Sequence, residues 1–257
     1  MNWQRRRPPR RTAVKNVPAV ERPAGNGVCV LNKENGLVST PSGATFRIIR
    51  LHFSKTGRAK FISHLDLNRT MTRALRRAAL PIWYTEGFNK HPYVTFAAPL
   101  SLGYEGLAEC MDVRLTEDLP MDEVVARLNA AMPEGLAIVD AAPVVKKAGE
   151  LAAAQYRLTL DCSAAELSAF LAQPTITAEK LTKKKERKTV ELTPHLQGLT
   201  PEAAGESTEV TLTLPCSSTD TVNPTLILQA LNAFLGREVR CEVLRLQLLD
   251  AAGEQFR

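Results

Sequence analysis

The chain has 257 residues, 44% of them apolar, and a formal net charge of +6, which is enough chain to bury a sizeable core in one large domain or two modest ones. No run approaches the roughly 20 consecutive apolar residues of a membrane-crossing helix, and the basic N-terminus lacks the apolar stretch of a secretory signal. The charge is polarised along the chain: residues 1–45 hold eight Lys and Arg against two Asp and Glu, a net of +6, residues 46–92 ten against two, a net of +8, and residues 93–257 fifteen against 23, a net of −8.

Residues 1–45 read as a disordered basic tail. Arg5-Arg6-Arg7-Pro8-Pro9-Arg10-Arg11 is followed by Pro18, Pro23, Gly25, Gly27, Pro41 and Gly43 without a periodic apolar pattern. Such a segment carries too little apolar surface to offset the entropy of ordering it. It suits either a nucleic-acid-binding arm or a plain terminal extension.

Residues 46–150 are predicted to form a first folded half. A strand runs from Phe46 to Ser54. Ser63 then caps a helix over 64–79, with Asp66 three residues on and Leu67, Met71, Leu75 and Ala78 on its apolar face. A short strand at 82–85 and an extended segment at 93–98 flank a loop, Glu86-Gly87-Phe88-Asn89-Lys90-His91-Pro92. That loop carries one exposed-looking Phe, a residue that connecting loops avoid unless it packs or binds something. Glu109–Leu115 alternates as a strand, Met121–Met132 has helical spacing, and Ala137–Val145 is a strand. His52 is expected to point out of its strand.

Residues 151–257 are predicted to repeat that order. Strands are expected at Gln155–Asp161, Ile176–Glu179, Thr189–Leu196, Glu209–Leu214 and Arg240–Leu248. Helices start at Ser163 and at Asn223-Pro224, the second ending at Gly236. The order βαββαβ is the split-βαβ, ferredoxin-like plan. The expected fold class is α+β, with two ferredoxin-like halves in tandem behind the disordered basic tail.

The signature chemistry of common enzymes is missing. Cys29, Cys110, Cys162, Cys216 and Cys241 are scattered, with no CxxC pair, no CxxxCxxC triad and no zinc spacing, and they read as reduced thiols of a cytoplasmic protein. There is no phosphate-binding loop, GxGxxG turn or GxSxG elbow. His64, Asp66 and His91 are the weak candidates for catalysis, equally well explained as a helix-start and a turn residue. No metal site is expected.

Positive charge is the stronger signal. Lys55, Arg58 and Lys60 precede the first helix, Arg69, Arg73, Arg76 and Arg77 lie on it at i, i+4, i+7 and i+8, and Lys90 sits in the Phe88 loop. A second group, Lys183, Lys184, Lys185, Arg187 and Lys188, forms a hairpin-like turn. Like charges on one helix flank repel unless something neutralises them, and a phosphate backbone would. With Phe88 as a stacking residue, these are the candidate nucleic-acid-binding residues, the two basic groups flanking one RNA strand. The plain alternative is a solvated helix face and a solvated turn.

The segments FSKTGRAKFISHLDLNR (53–69) and YTEGFNKHPYVTFAAPLSLG (84–103) resemble the two signature segments of the radical-SAM-associated domain family of unknown function, whose members are encoded beside, or fused to, a cobalamin-binding-type radical SAM protein. The resemblance runs from about Phe46 to the end of the chain. It implies a radical SAM partner, which would carry an iron–sulfur cluster and S-adenosylmethionine, and no cofactor on this chain. The expected function is a cytoplasmic accessory protein that binds RNA or a ribonucleoprotein and presents it to that partner. A stand-alone enzyme using His64, Asp66 and His91, and a pure protein-interaction adaptor, are the competing readings.

Overall fold

The structure, a computed structural model, describes residues 30–31, 37–39, 43, 45–181 and 186–257. In chain order the first part has β1 (Val30–Leu31), β2 (Leu37–Ser39), β3 (Thr45–Lys55), a 3₁₀ turn (Gly57–Phe61), α1 (His64–Arg77), β4 (Val94–Phe96), β5 (Glu105–Leu115), α2 (Met121–Asn129) and β6 (Leu136–Pro143). The second part has β7 (Leu151–Leu160), α3 (Ala164–Leu171), β8 (Thr177–Leu181), β9 (Arg187–Glu191), α4 (Thr193–Leu196), β10 (Glu202–Ala204), β11 (Ser207–Pro215), α5 (Pro224–Leu235) and β12 (Cys241–Asp250). The protein is thus a mixed α/β structure built on a large, mostly antiparallel sheet.

Ten strands form that sheet in the order β1-β2-β3-β5-β12-β7-β11-β10, with β6 also on β3 and β4 also on β5. Every pairing in it is antiparallel except β5 with β12, which run parallel with Leu244 opposite Glu105 and Arg245 opposite Gly106. Two clusters of buried side chains lie against it. One gathers Ile49, Leu51 and Phe53 of β3 with Leu67, Met71 and Leu75 of α1 and Val124 and Leu128 of α2. The other gathers Tyr156, Leu158 and Leu160 of β7 with Phe170 of α3 and Ile227 and Leu231 of α5.

Local signals place the helices. Ser63 Oγ accepts from the Asp66 amide at 3.1 Å, fixing the start of α1. Ser163 and Glu166 form a reciprocal capping box on α3. Asn223 caps α5, Pro224 takes its first position, and Gly236 at φ +66° ends it.

Several expectations need correction. Part of the segment read as a disordered tail is strand: β1 pairs with β2, and β2 pairs with the edge of β3, burying Val38. An apolar Leu37-Val38 pair beside an open strand edge gains a ladder there that its surrounding Pro and Gly residues conceal. Thr45 already belongs to β3, and apart from Gly43 the rest of that tail lies outside the described residues. Ile82–Thr85 is not a strand but makes isolated bridges, Ile82 to Leu115 and Tyr84 to Pro92, since Pro81 and Pro92 have no N–H to extend a ladder. The strand expected over Thr189–Leu196 stops at Glu191. Thr193–Leu196 is a short helix with Pro194 in its first turn, a position that proline favours and a ladder rejects. β8 and β9 leave the main sheet altogether and form their own two-stranded hairpin.

β3 explains a further miss. Its residues 49–53 are buried on both sides. The returning C-terminal segment covers the side away from α1, where Phe256 lies 4.2 Å from the Arg50 guanidinium and its carbonyl is 3.2 Å from His52 Nε2. His52 leaves the apolar face as expected, but it enters protein rather than solvent. Arg50 is held by Asp112 through two hydrogen bonds of 2.7 and 2.9 Å, the paired geometry that makes a buried guanidinium tolerable.

A candidate nucleic-acid interface on the first helix

The apolar stripe of α1 fixes what its other side must do. Leu67, Met71, Ala74 and Leu75 are buried, so at 3.6 residues per turn Arg69, Arg73 and Arg76 fall within about 60° of one another on the opposite flank. All three are exposed. Arg69 donates to Asp66 at 3.2 Å, and the Ser63 hydroxyl, with Arg69 second, holds the Asp66 carboxyl below its usual range. Arg76 sits over the Tyr84 ring, 5.9 Å from its centroid. Leu65, one turn before Arg69, and Phe61, just before the helix, are also exposed. Sequence reasoning did not single out those two.

Beyond Tyr84 the chain makes the loop that displays Phe88, whose side chain is fully exposed. The base of the loop is clasped. Thr85 N–H donates to the His91 carbonyl at 2.9 Å, His91 N–H donates to Thr85 Oγ1 at 3.2 Å, and the His91 ring lies 3.0 Å from the Asn89 carbonyl. Gly87 has φ +128°, a conformation that only glycine adopts easily. Lys90 is exposed beside Phe88.

The remaining basic residues divide by partner. Lys55, expected on the surface, is corrected: it is 1% exposed, with its Nζ 3.2 Å from the Lys60 carbonyl. Burial lowers its pKa, against the pull of the Glu109 carboxylate. Lys60 is half-buried and bridges Glu105 at 3.7 Å and Glu242 at 3.9 Å. Arg58 is exposed. Arg77 turns toward α2, where its Nη2 donates to the Ala131 carbonyl at 2.7 Å. A surface cleft of about 390 Å³ lies beside Arg77 and Arg127.

Of the second basic group, Arg187 and Lys188 are described, on the β8–β9 hairpin. The β8–β9 hairpin packs against α5, Lys180 Nζ donates to the Thr221 carbonyl, and Arg187 pairs with Glu179 at 3.0 Å. Lys188 is exposed. Lys183, Lys184 and Lys185 lie outside the described residues.

The catalytic candidates are engaged in local roles. His64 packs edge-on against Phe96 with ring centroids 5.0 Å apart, Asp66 serves the Ser63 cap and Arg69, and His91 clasps its own loop. Among the described residues no three His, Cys, Asp or Glu side chains gather as a metal site, and no helix is long and apolar enough to cross a membrane. The four described cysteines are free thiols. Tyr93, the next aromatic residue after the loop, is itself covered: the Arg114 guanidinium lies 3.7 Å from its centroid and also faces Phe46 and Trp83.

A family model described as an uncharacterized protein conserved in bacteria (DUF2344) matches residues 48–224. No curated protein matches the chain.

Proposed function

The chain belongs to that bacterial family of uncharacterized proteins, DUF2344, and from this premise we propose that it is an accessory protein that binds RNA, or an RNA-containing particle, along the exposed flank of α1 and presents it to a radical SAM partner. The observation that carries the RNA half of this reading is the single file of Arg69, Arg73 and Arg76 on the solvent side of α1. They stand in a segment of +8 within a body, residues 46–257, whose charges sum to zero. Within that segment Lys55 is buried and Arg50 and Lys60 are paired with carboxylates outside it, and the charge left exposed along α1 suits a polyanion.

The partner half rests on the resemblance of residues 53–69 and 84–103 to the radical-SAM-associated domains. In this reading the cluster and S-adenosylmethionine belong to the partner. The fold is consistent with a duplicated split-βαβ plan: β6-β3-β5-β4 and β12-β7-β11-β10 have the same strand order, with the β8–β9 hairpin and α4 as an insertion before β10. An accessory of this kind offers surfaces rather than a catalytic constellation.

The test is retention of RNA as salt is raised. Wild-type protein should lose affinity steeply, and Arg73→Ala with Arg76→Ala should lower the slope of log affinity against log salt by about 0.7 per lost contact on a single strand. Affinity that is independent of salt, or of both arginines, would favour the adaptor reading. Capture of a radical SAM protein from lysate, with and without nuclease, tests the partner.

A further inference from the structure

Resting on the RNA reading above, we infer that the α1 surface recognises unpaired RNA, a single strand or a loop, with Phe88 stacking on a splayed base. The arginine file covers about 10.5 Å of helix axis from Arg69 to Arg76 at 1.5 Å per residue. It ends on an aromatic residue, because Arg76 lies over Tyr84. Four residues further on the chain presents Phe88, within about 13 Å of Tyr84 at 3.3 Å per residue. Cationic groups therefore lead directly into an aromatic tip.

Phosphates alone do not call for that tip. A guanidinium file neutralises a backbone whether the bases are paired or not, whereas a fully exposed phenyl ring gains nothing from phosphate. In an A-form duplex the base faces are hidden by stacking, and the protein meets sugars, phosphates and a shallow groove. An unpaired base offers a free face, and every base has one, so stacking on it needs no sequence match.

The loop is built to present the ring. Its base is closed by the Thr85–His91 and His91–Asn89 contacts and by the Tyr84–Pro92 bridge, so little freedom remains to be lost on binding. Gly87 supplies the turn that throws Phe88 outward. Phe88 has no packing role to explain it, since its side chain is fully exposed. The roles of His91 and Gly87 follow from the same geometry: they position the phenyl ring and do not touch the ligand.

The experiment compares three RNAs of one length by fluorescence anisotropy: an unstructured strand, the same strand annealed to its complement, and a hairpin with an unpaired loop. Each is titrated with wild type, Phe88→Ala, Phe88→Trp and Arg73→Ala. The strand and the hairpin should bind at least about tenfold more tightly than the duplex. Phe88→Ala should weaken them by about 5- to 150-fold, the range for loss of one stacked base, with the salt slope and the thermal unfolding midpoint unchanged. Phe88→Trp should restore binding, and Arg73→Ala should lower the slope for all three RNAs. Equal affinity for duplex and strand, or full binding by Phe88→Ala, overturns this inference and leaves the RNA reading standing. Absence of binding to all three RNAs overturns both. Loss of a protein partner by Phe88→Ala with RNA binding intact assigns the ring to that partner and overturns the inference as well.

Discussion

Arg245 Nε donates to Glu109 Oε1 at 2.7 Å, and both side chains are almost wholly buried. The same guanidinium reaches Glu109 Oε2 and donates to the Ala98 carbonyl. The pair joins β12 to β5 at the parallel seam, where only two residues of each strand are in register. Burial opposes the charge on Arg245, but the Glu109 carboxylate overcomes this and raises its pKa. A Cβ at Gly106 would fall 2.3 Å from Glu109 Oε1, so a larger residue there would push the carboxylate off Arg245.

Glu109→Gln should therefore strand a buried guanidinium and cost about 3–5 kcal/mol, read from urea unfolding. Replacing both partners, as Glu109→Leu with Arg245→Met, should recover most of that loss, since a well-packed apolar pair is often as stable as the ions it replaces. A double variant as unstable as the sum of its singles would show that the pair does not act as one unit.

Arg77 and Arg127 exchange caps. Arg77 Nη2 donates to the Ala131 carbonyl just past α2, and Arg127 donates to the Ala78 carbonyl at 3.0 Å and to the Ala79 carbonyl just past α1. Each satisfies carbonyls that a helix end leaves without partners. Arg77→Ala should cost about 0.5–1.5 kcal/mol of stability, the net range of an intramolecular hydrogen bond, and should leave RNA affinity per folded molecule unchanged. Arg73→Ala should do the reverse. If Arg77→Ala weakens RNA binding as much as Arg73→Ala, the cap is not its main role.

This contrast marks the limit of what could be read from residues alone. Helix period places Arg69, Arg73, Arg76 and Arg77 on the non-core side of α1, and the structure agrees. It cannot separate Arg77, because the carbonyl it meets comes from residue 131. Lys55 read as a surface cation for a similar reason: it lies between β5 and β6, opposite Gly106 and Leu136, which come much later in the chain. The caps at Ser63, Ser163 and Asn223 were legible because each is written within four residues. The departure of β8 and β9 from the main sheet was not, because a strand's local pattern does not say which edge it joins. The Phe88 loop could be recognised as unusual, but its rigidity rests on the Thr85–His91 contacts, which spacing alone does not reveal.

Phe256 closes the side of β3 opposite α1. It is fully buried, lies over Arg50, and its carbonyl is 3.7 Å from Cys110 Sγ. Phe256→Ala should cost about 3–5 kcal/mol. It should also open Cys110, which is 2% exposed, so that a thiol reagent modifies it faster in the folded protein. A large stability loss with no gain in Cys110 reactivity would mean that neighbouring side chains collapse into the space.

Alkaline pH should destabilise the fold through the same thiol. Burial pushes the Cys110 pKa up from 9.0 to about 12, with smaller contributions from nearby charges. A raised folded pKa favours the neutral thiol, so its contribution is fully present below pH 9. Between pH 9 and 12 the unfolded chain has released its proton while the folded chain has not, and stability falls by about 1.4 kcal/mol per pH unit for this group. Cys241, also pushed up by burial to about 12, adds to the fall. Lys55 opposes it, because a lowered lysine pKa gives stability that grows with pH up to its ordinary value of 10.5. Urea midpoints under reducing conditions at about pH 8 and about pH 10.5 should show a net loss in wild type. Cys110→Ala should be less stable than wild type at the lower pH but should lose about 2 kcal/mol less on going to the higher one. Parallel pH profiles for the two proteins would mean that Cys110 ionises as freely in the folded chain as in the unfolded one.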